Sequence, residues 1–490
     1  MMHIATGSSP QFRRGSSLSQ RKPGRACRRP FFCCLLVVAL FPTTAATTSG
    51  QERHVLETAA GRKALIDTIA TLVENRFVLA ERAPAFADSL RARETAGSYD
   101  SLTTPAAFAE AVTADLREIT GDSHFLLRIV EPSDVGEQAQ SPLHHPIRLF
   151  RLSQREHLGF ASLEWMEGDI GYLDFRRFYP ISESKQMVDG AMRFLAGADA
   201  VIIDLRENGG GAGESLPYLT RYFLPYPTQL TSYYSRESDF LTEFWTAKEV
   251  GAARLPDVPL FLLTSERTFS AAEMFAYDLK VRGRATLVGS ATGGGAHSVD
   301  LFPLDGGFEI YISTARAINP VTNGNWEGTG VIPDVAVPAD VALDTALVLA
   351  RSAAREYREP KDASLAAAVQ KMERALAGAE TAFRDGRTAD GEMALFGLVE
   401  AGADHGLINE FFLSVLAYNY SPETDAALLL AILRKRVELF PRSADAYEAL
   451  GTTLAAIGEG PLARTYFLRA LDLDPDNRNV RRKLNMLENH

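Results

Sequence analysis

The chain has 490 residues, of which 46% are hydrophobic and 23% charged, the balance of a globular protein of about two to four domains rather than a disordered or membrane one. Its 62 acidic residues outnumber the 51 basic ones, giving a formal net charge of −11 at pH 7, which argues against nucleic acid as a partner.

Residues 1–49 stand apart. They carry seven basic residues (Arg13, Arg14, Arg21, Lys22, Arg25, Arg28 and Arg29) and no acid, followed by FFCCLLVVALF and the small residues TTAATTSG. This order reads as a secretory signal. The apolar run, about 11 residues, is short of the ~20 that a membrane span needs, so no stable span is expected after its removal; a retained single-pass anchor is the alternative. The expected location is periplasmic or secreted. Cys27, Cys33 and Cys34 all lie in this segment. The exported chain would then have no disulfide, no thiolate metal site and no cysteine nucleophile.

From residue 50 to about 130 the apolar spacing is helical, as in HVLETAAGRKALIDTIATLVENRFV and TPAAFAEAVTADLREI, and ends at the Gly121-Asp122 turn of GDSHFLLRIV. The stretch around His144 and His145 reads as an irregular loop. Strand and helix patterns then alternate to about residue 350: GDIGYLDFRRF, ADAVIIDLRENGGG and VPLFLLTSERTFS are strands that run into polar or glycine turns. Continuous apolar strands joined by helices predict a covered α/β sheet, with ligands collecting at the strand ends. Residues 351–442 read as a helical linker. Residues 443–490 repeat the spacing of Pro441 and Pro475, about 34 positions apart, with Tyr447, Leu450, Gly451, Leu454, Ala463, Phe467 and Ala470 at the small and large positions of a tetratricopeptide repeat. Leu413, Leu416, Tyr420 and Leu433 form a weaker preceding copy. The repeat is either a structural cap or a site for a protein partner.

Ser270, in TSERTFSAAE, opens a helix. Unpaired N–H groups and the positive dipole end there would favour an oxyanion beside the hydroxyl, yet serine is also among the best N-cap residues. A nucleophilic serine needs a base. His124 follows Ser123 at a helix-to-strand junction, and His297 ends the turn GGGAH. The glycines of DLRENGGG could bring backbone donors to an oxyanion. A phosphate loop is disfavoured because no GK[ST] follows. Asp204 and Arg206 are expected to pair and brace that turn.

Taken in order, DLRENGGG, TSERTFSAAE, GSATGGGAH and WEGTGVIPDV resemble the C-terminal (tail-specific) processing peptidase superfamily, in the branch of interphotoreceptor retinoid-binding protein and the tricorn protease core. The resemblance covers roughly residues 52–350. It implies an α/β, crotonase-like core with a helical N-terminal subdomain, extended here by an all-α, tetratricopeptide-like C-terminal region. Ser-Lys members carry a lysine in the turn after the nucleophile's helix. Here that turn reads GGGAH, and Lys280 lies too close to Ser270 along the same helix. The PDZ domain of those members also has no room between His124 and the first core strand. Carried over, the resemblance makes Ser270 the nucleophile and His124 the general base, with Ser123 and Glu327 holding the imidazole. Ala271 and either Gly209 or Gly210 would give the oxyanion N–H donors, and His297 would shape the site. It implies a polypeptide substrate and requires no cofactor and no metal. The alternative is a carrier of apolar ligands that keeps the fold without turnover.

Overall fold

The computed structural model describes residues 55–130 and 144–488; the proposed signal, with its cysteines, lies outside the described residues. Three helices make the N-terminal lobe: α1 (Ala59–Arg76), α2 (Ala83–Thr95) and α3 (Pro105–Thr120). Thr58 and Thr104 cap α1 and α3 by accepting from the N–H groups of Gly61 and Ala107, at 3.0 and 3.3 Å. Helix α3 stops at Gly121, whose φ of 72° is the left-handed value that glycine supplies at a helix end. The chain turns through Asp122, Ser123 and His124 into β1 (Leu126–Ile129).

The apolar face of the lobe, including Ile66, Ile69, Val73, Phe108, Val112 and Leu116, packs on Phe308, Ile310 and Ile312 of the long strand β10 (Phe308–Ile318). Each such side chain removed from water contributes about 1.5–3 kcal/mol. Polar ties reinforce the seam: Val78 N–H donates to the Ser313 carbonyl at 2.8 Å, and Arg236 donates to the carbonyls of Glu74 and Phe77 at 3.1 and 2.6 Å.

Helix α4 (His144–Arg155) follows, so the stretch expected to be an irregular loop starts a helix at His144. Its proline, Pro146, falls in the first turn, where the missing N–H breaks no intrahelical bond. The core holds two sheets. One has six strands in the order β11-β8-β7-β4-β3-β2, formed by β2 (Phe160–Met166), β3 (Ile170–Phe175), β4 (Ala200–Asp204), β7 (Leu260–Thr264), β8 (Thr286–Gly289) and β11 (Val335–Ala336). All neighbours pair in parallel except β2 with β3. The other sheet is antiparallel and joins β1, β10, β5 (Ser232–Ser235) and β6 (Phe240–Thr242), with β9 (Ser298–Leu304) on the second edge of β10.

Strands β4 and β7 are buried along their whole length, as their unbroken apolar runs require. Val201, Ile203, Leu260 and Leu262 face one core, which also takes in α5 (Ile181–Leu195), the short α6 (Leu216–Thr220) and α7 (Ala271–Lys280). Ile202, Phe261 and Leu263 face the other side, where α8 (Ala342–Arg384) lays Ala342, Ala346, Ala350 and Ala354 on the sheet. The spacing of four keeps these small residues on one helix face. Helix α8 is continuous and contains Pro360. The boundary expected between residues 350 and 351 therefore falls inside a single helix.

Six helices follow: α9 (Thr388–Ala403), α10 (Glu410–Tyr418), α11 (Ala426–Leu439), α12 (Ala444–Ala456), α13 (Gly460–Leu473) and α14 (Arg478–Glu488). They share a separate core in which Leu433, Leu450, Leu454, Ala463, Phe467 and Ala470 are buried. No helix among the described residues is long and apolar enough to cross a membrane.

Candidate active site

Three loops leave the carboxyl ends of the parallel strands side by side, where open α/β sheets gather ligands. They are residues 205–211 after β4, 265–270 after β7 and 290–297 after β8. Hydrogen bonds stitch them together. Thr268 Oγ1 donates to the Leu205 carbonyl at 2.7 Å and Ser265 Oγ to that of Arg206 at 2.5 Å. Phe269 N–H donates to the Asn208 carbonyl and Gly293 N–H to that of Thr268, at 3.0 and 2.9 Å. Asp204 and Arg206 pair as expected, Arg206 Nη2 lying 2.6 Å from Asp204 Oδ2.

Ser270 sits at the head of α7 with φ 54° and ψ −118°, a positive φ that non-glycine residues adopt only under constraint. The constraint is visible. Its N–H donates to Glu273 Oε2 at 2.8 Å, the glutamate half of a capping box, and Gly210 passes so close that a Cβ there would lie 2.8 Å from Ser270 Cβ. Gly210 has φ 95°, so glycine is required twice over. The Gly210 N–H is already given to Asn208 Oδ1 at 2.9 Å. Of the two glycines proposed as oxyanion donors, only Gly209 keeps an uncommitted N–H, and Ala271 N–H is also uncommitted.

His124 comes from the other lobe. Its side chain is 8% exposed, its ring lies 4.7 Å from the Phe269 ring, and Gly295 backs it so closely that a Cβ there would meet His124 Cε1 at 2.7 Å. One nitrogen of His124 and one oxygen each of Asp122 and Glu327 lie within 4.8 Å of one another. His124 Nε2 and Glu327 Oε1 are buried without a hydrogen-bond partner, whereas His124 Nδ1 has Asp122 Oδ1 at ion-pair distance, 3.4 Å. Buried polar atoms are seldom left unpartnered, and each one calls for a reacting group, a water, an ion or local strain to account for it. Glu327 Oε2 accepts from Ala296 and His297 N–H at 2.6 and 3.0 Å. Burial, together with the neighbouring Asp122 charge, pushes the Glu327 carboxyl up against the opposing pull of His297 and the Ala296 N–H.

Sequence reasoning missed two acids. Asp122, almost fully buried, accepts from His124 N–H at 2.9 Å, lies 3.4 Å from His124 Nδ1, and bonds His297 Nδ1 at 2.8 Å. Burial alone would raise its carboxyl, but hydrogen bonds from His124 and His297 and their charges hold it well below the usual carboxylate range. An ionised carboxylate only accepts, so His297 Nδ1 donates. The signal was present as an Asp two residues before a histidine, the spacing of an Asx turn. The second acid, Glu273, lies three residues after Ser270, the spacing of a capping box. Ser123 is a correction. It is exposed and makes no hydrogen bond to His124 among the described residues, because the turn that buries Asp122 and His124 points the residue between them outward; Asp122 occupies the place expected of it. His297 is buried between Asp122, Glu327 and the edge of Phe77. Asp122, His124 and Glu327 have the spacing of a divalent-ion site, but Asp122 Oδ1 and Glu327 Oε2 already accept N–H groups.

Residues 50–156 match the model described as the N-terminal domain of Peptidase_S41 in eukaryotic IRBP, and residues 169–337 match Peptidase family S41. Among curated relatives, the carboxyl-terminal-processing protease of a Picosynechococcus species is 26% identical over 262 residues, covering 52% of this chain and 59% of that protein. The protease of the same name from a Synechocystis species is 33% identical over 194 residues, covering 37% of this chain and 43% of its own. The chain thus spans about half the length of the curated relatives it matches. Among solved structures, a lipoprotein from Streptococcus agalactiae is similar, with 17% identity, a TM-score of 0.41, and coverage of 59% of this chain and 96% of that one. The two matched segments carry, between them, both sides of the site: residues 169–337 form a peptidase family S41 domain, preceded at residues 50–156 by the N-terminal domain of that family.

Proposed function

We propose that this chain is an exported serine peptidase that hydrolyses polypeptide substrates through Ser270 and His124, with Glu327 and Asp122 orienting the imidazole. In this reading Ser270 Oγ attacks the scissile carbonyl and His124 takes its proton, then returns it to the leaving amine. The N–H groups of Ala271 and Gly209 receive the oxyanion at the start of α7, where the helix dipole adds to them. The buried, partnerless Nε2 of His124, on an imidazole whose Nδ1 faces Asp122, and the partnerless Glu327 Oε1 carry this reading. They are sites kept for a proton in transit, whereas an apolar carrier would leave them as a standing cost. The family match supports the reaction class, and the basic, apolar and small-residue order of the first 49 residues supports export.

The last helices belong to this reading as a tetratricopeptide-like cap. Its apolar positions, from Leu450 to Ala470, are spent inside its own core, which favours a structural role over partner binding.

The test is covalent labelling of the purified protein with a fluorophosphonate probe, beside hydrolysis of an unstructured protein substrate. Wild type is expected to label at Ser270, and Ser270→Ala and His124→Ala to lose about 10³-fold or more in kcat. Labelling elsewhere, or unchanged proteolysis in Ser270→Ala, would remove the proposal. Tight binding of a fatty acid by Ser270→Ala would favour the carrier.

A further inference from the structure

We infer that Glu273 is a positioning residue: its buried carboxylate joins the backbone of Ser270 to the glycine turn behind His124 and so sets the two reacting side chains relative to each other. The inference rests on the peptidase reading above and adds to it a residue that touches no reacting atom.

Glu273 is fully buried in the first turn of α7. Its Oε2 accepts from Ser270 N–H and Gly295 N–H, both at 2.8 Å, and its Oε1 accepts from Gly294 N–H at 2.7 Å and Thr292 Oγ1 at 2.5 Å. All four partners donate and none is a cation. Four donors are matched by the two oxygens of an ionised carboxylate and by no neutral side chain of the same shape. Thr292 Oγ1 accepts in turn from Val331 N–H at 2.6 Å, which aims its proton at Glu273 and links in the loop that carries Glu327.

A cap alone explains one of these four bonds. The other three reach across to residues 292–295, on a different strand end. Gly295 is the residue whose backbone backs His124 Cε1 and the Phe269 ring. The path from nucleophile to base therefore runs Ser270, Glu273, Gly295, His124, with no flexible side chain other than the clamped glutamate. The left-handed backbone of Ser270 persists only where surrounding bonds over-determine it, and the Glu273 bond to the Ser270 N–H is such a bond. In Glu273→Gln an amide NH2 would face two of the four donors, so the turn and the helix start would separate.

The test uses the full chain carrying Glu273→Gln, with melting temperature, kcat, KM, the second-order rate of fluorophosphonate labelling, and amide hydrogen exchange of residues 270–271 and 293–296. Because a misplacement of about 1 Å costs roughly 10²-fold in rate, kcat and the labelling rate should fall together by about that factor while KM stays within about threefold. Protection should be lost at Ser270, Gly294 and Gly295. A folded Glu273→Gln with kcat within twofold of wild type overturns the inference. Should Glu273→Gln fail to fold, Thr292→Val and Thr292→Ser decide. The valine, lacking the hydroxyl, should slow labelling about tenfold and the serine should restore it; equal rates overturn the claim. If wild type labels nowhere, the peptidase reading fails by itself, and exchange still judges the clamp: unchanged protection in Glu273→Gln refutes it.

Discussion

Asp122 shows how one carboxylate can serve two imidazoles. It lies between His124 and His297, and its depressed pKa makes it ionised wherever the protein is folded and near neutral. A folded value below the unfolded one of about 3.9 means stability that is present above that pH and lost as pH falls beneath it. Asp122→Asn should therefore lower stability at pH 7 by about 3–5 kcal/mol, the cost of breaking a buried pair, and flatten the acid limb of the unfolding curve. Chemical denaturation at pH 7 and pH 3 measures both. At this scale the sequence pointed to Ser270 and His124 because glycine turns and flanking apolar runs mark their places, while Glu327 came only from the family resemblance. The sequence hid Asp122 and Glu273. An acid beside a turn or at a helix start is most often a solvated cap, and these two become structural centres only when distant donors fold onto them. Ser123 was misjudged for the converse reason, since adjacency in sequence does not bring neighbouring side chains to one face of a turn.

Helix α7 carries Ser270, the proposed nucleophile, at its head and a second buried acid, Asp278, near its end. Asp278 accepts from Thr231 N–H at 3.1 Å and from Asn319 Nδ2 and Arg282 Nη1, both at 2.9 Å. Burial pushes its carboxyl up to about 6, against the pull of Arg282 and Thr231. Here the sign is opposite to that of Asp122. A folded value above the unfolded one gives stability that is full below about pH 4 and is lost as pH rises through 6, by roughly 3 kcal/mol. In Asp278→Asn that decline between pH 4 and 6 should vanish, which thermal melts across the window will report. Among elements, the buried strands β4 and β7 were legible because unbroken apolar runs bounded by turns leave little choice. Helix α8 was not legible as one unit. An interior proline argues for a break, yet α8 runs on through Pro360, with Ala342 to Ala354 used by the sheet and Ala379 by the C-terminal core.

At the scale of the molecule the apolar interior divides into separate clusters, and the one holding the helices after residue 388 includes no residue of the site. Removing residues 443–490 should leave probe labelling at Ser270 within about twofold. It should also uncover Leu429, Ile432 and Leu433, so the shortened protein should self-associate in sedimentation or light scattering. A loss of labelling on this truncation would mean that the C-terminal helices act on the site directly. The alternation of strands and helices predicted a covered sheet, and α7 and α8 cover it. It did not predict that the N-terminal helices would dock on β10, a pairing set by contacts nearly the whole core apart in sequence.

That docking has a consequence for how the protein is made. Synthesis delivers the imidazole first, the hydroxyl long afterwards, and the strand on which the imidazole's lobe seats itself later still, just ahead of Glu327. In the proposed mechanism, a chain stalled just before that strand holds a histidine with no platform and a serine with no base. On the peptidase reading, the site can close only once nearly all of residues 55–327 have left the ribosome, so the order of synthesis itself delays the meeting of the two side chains.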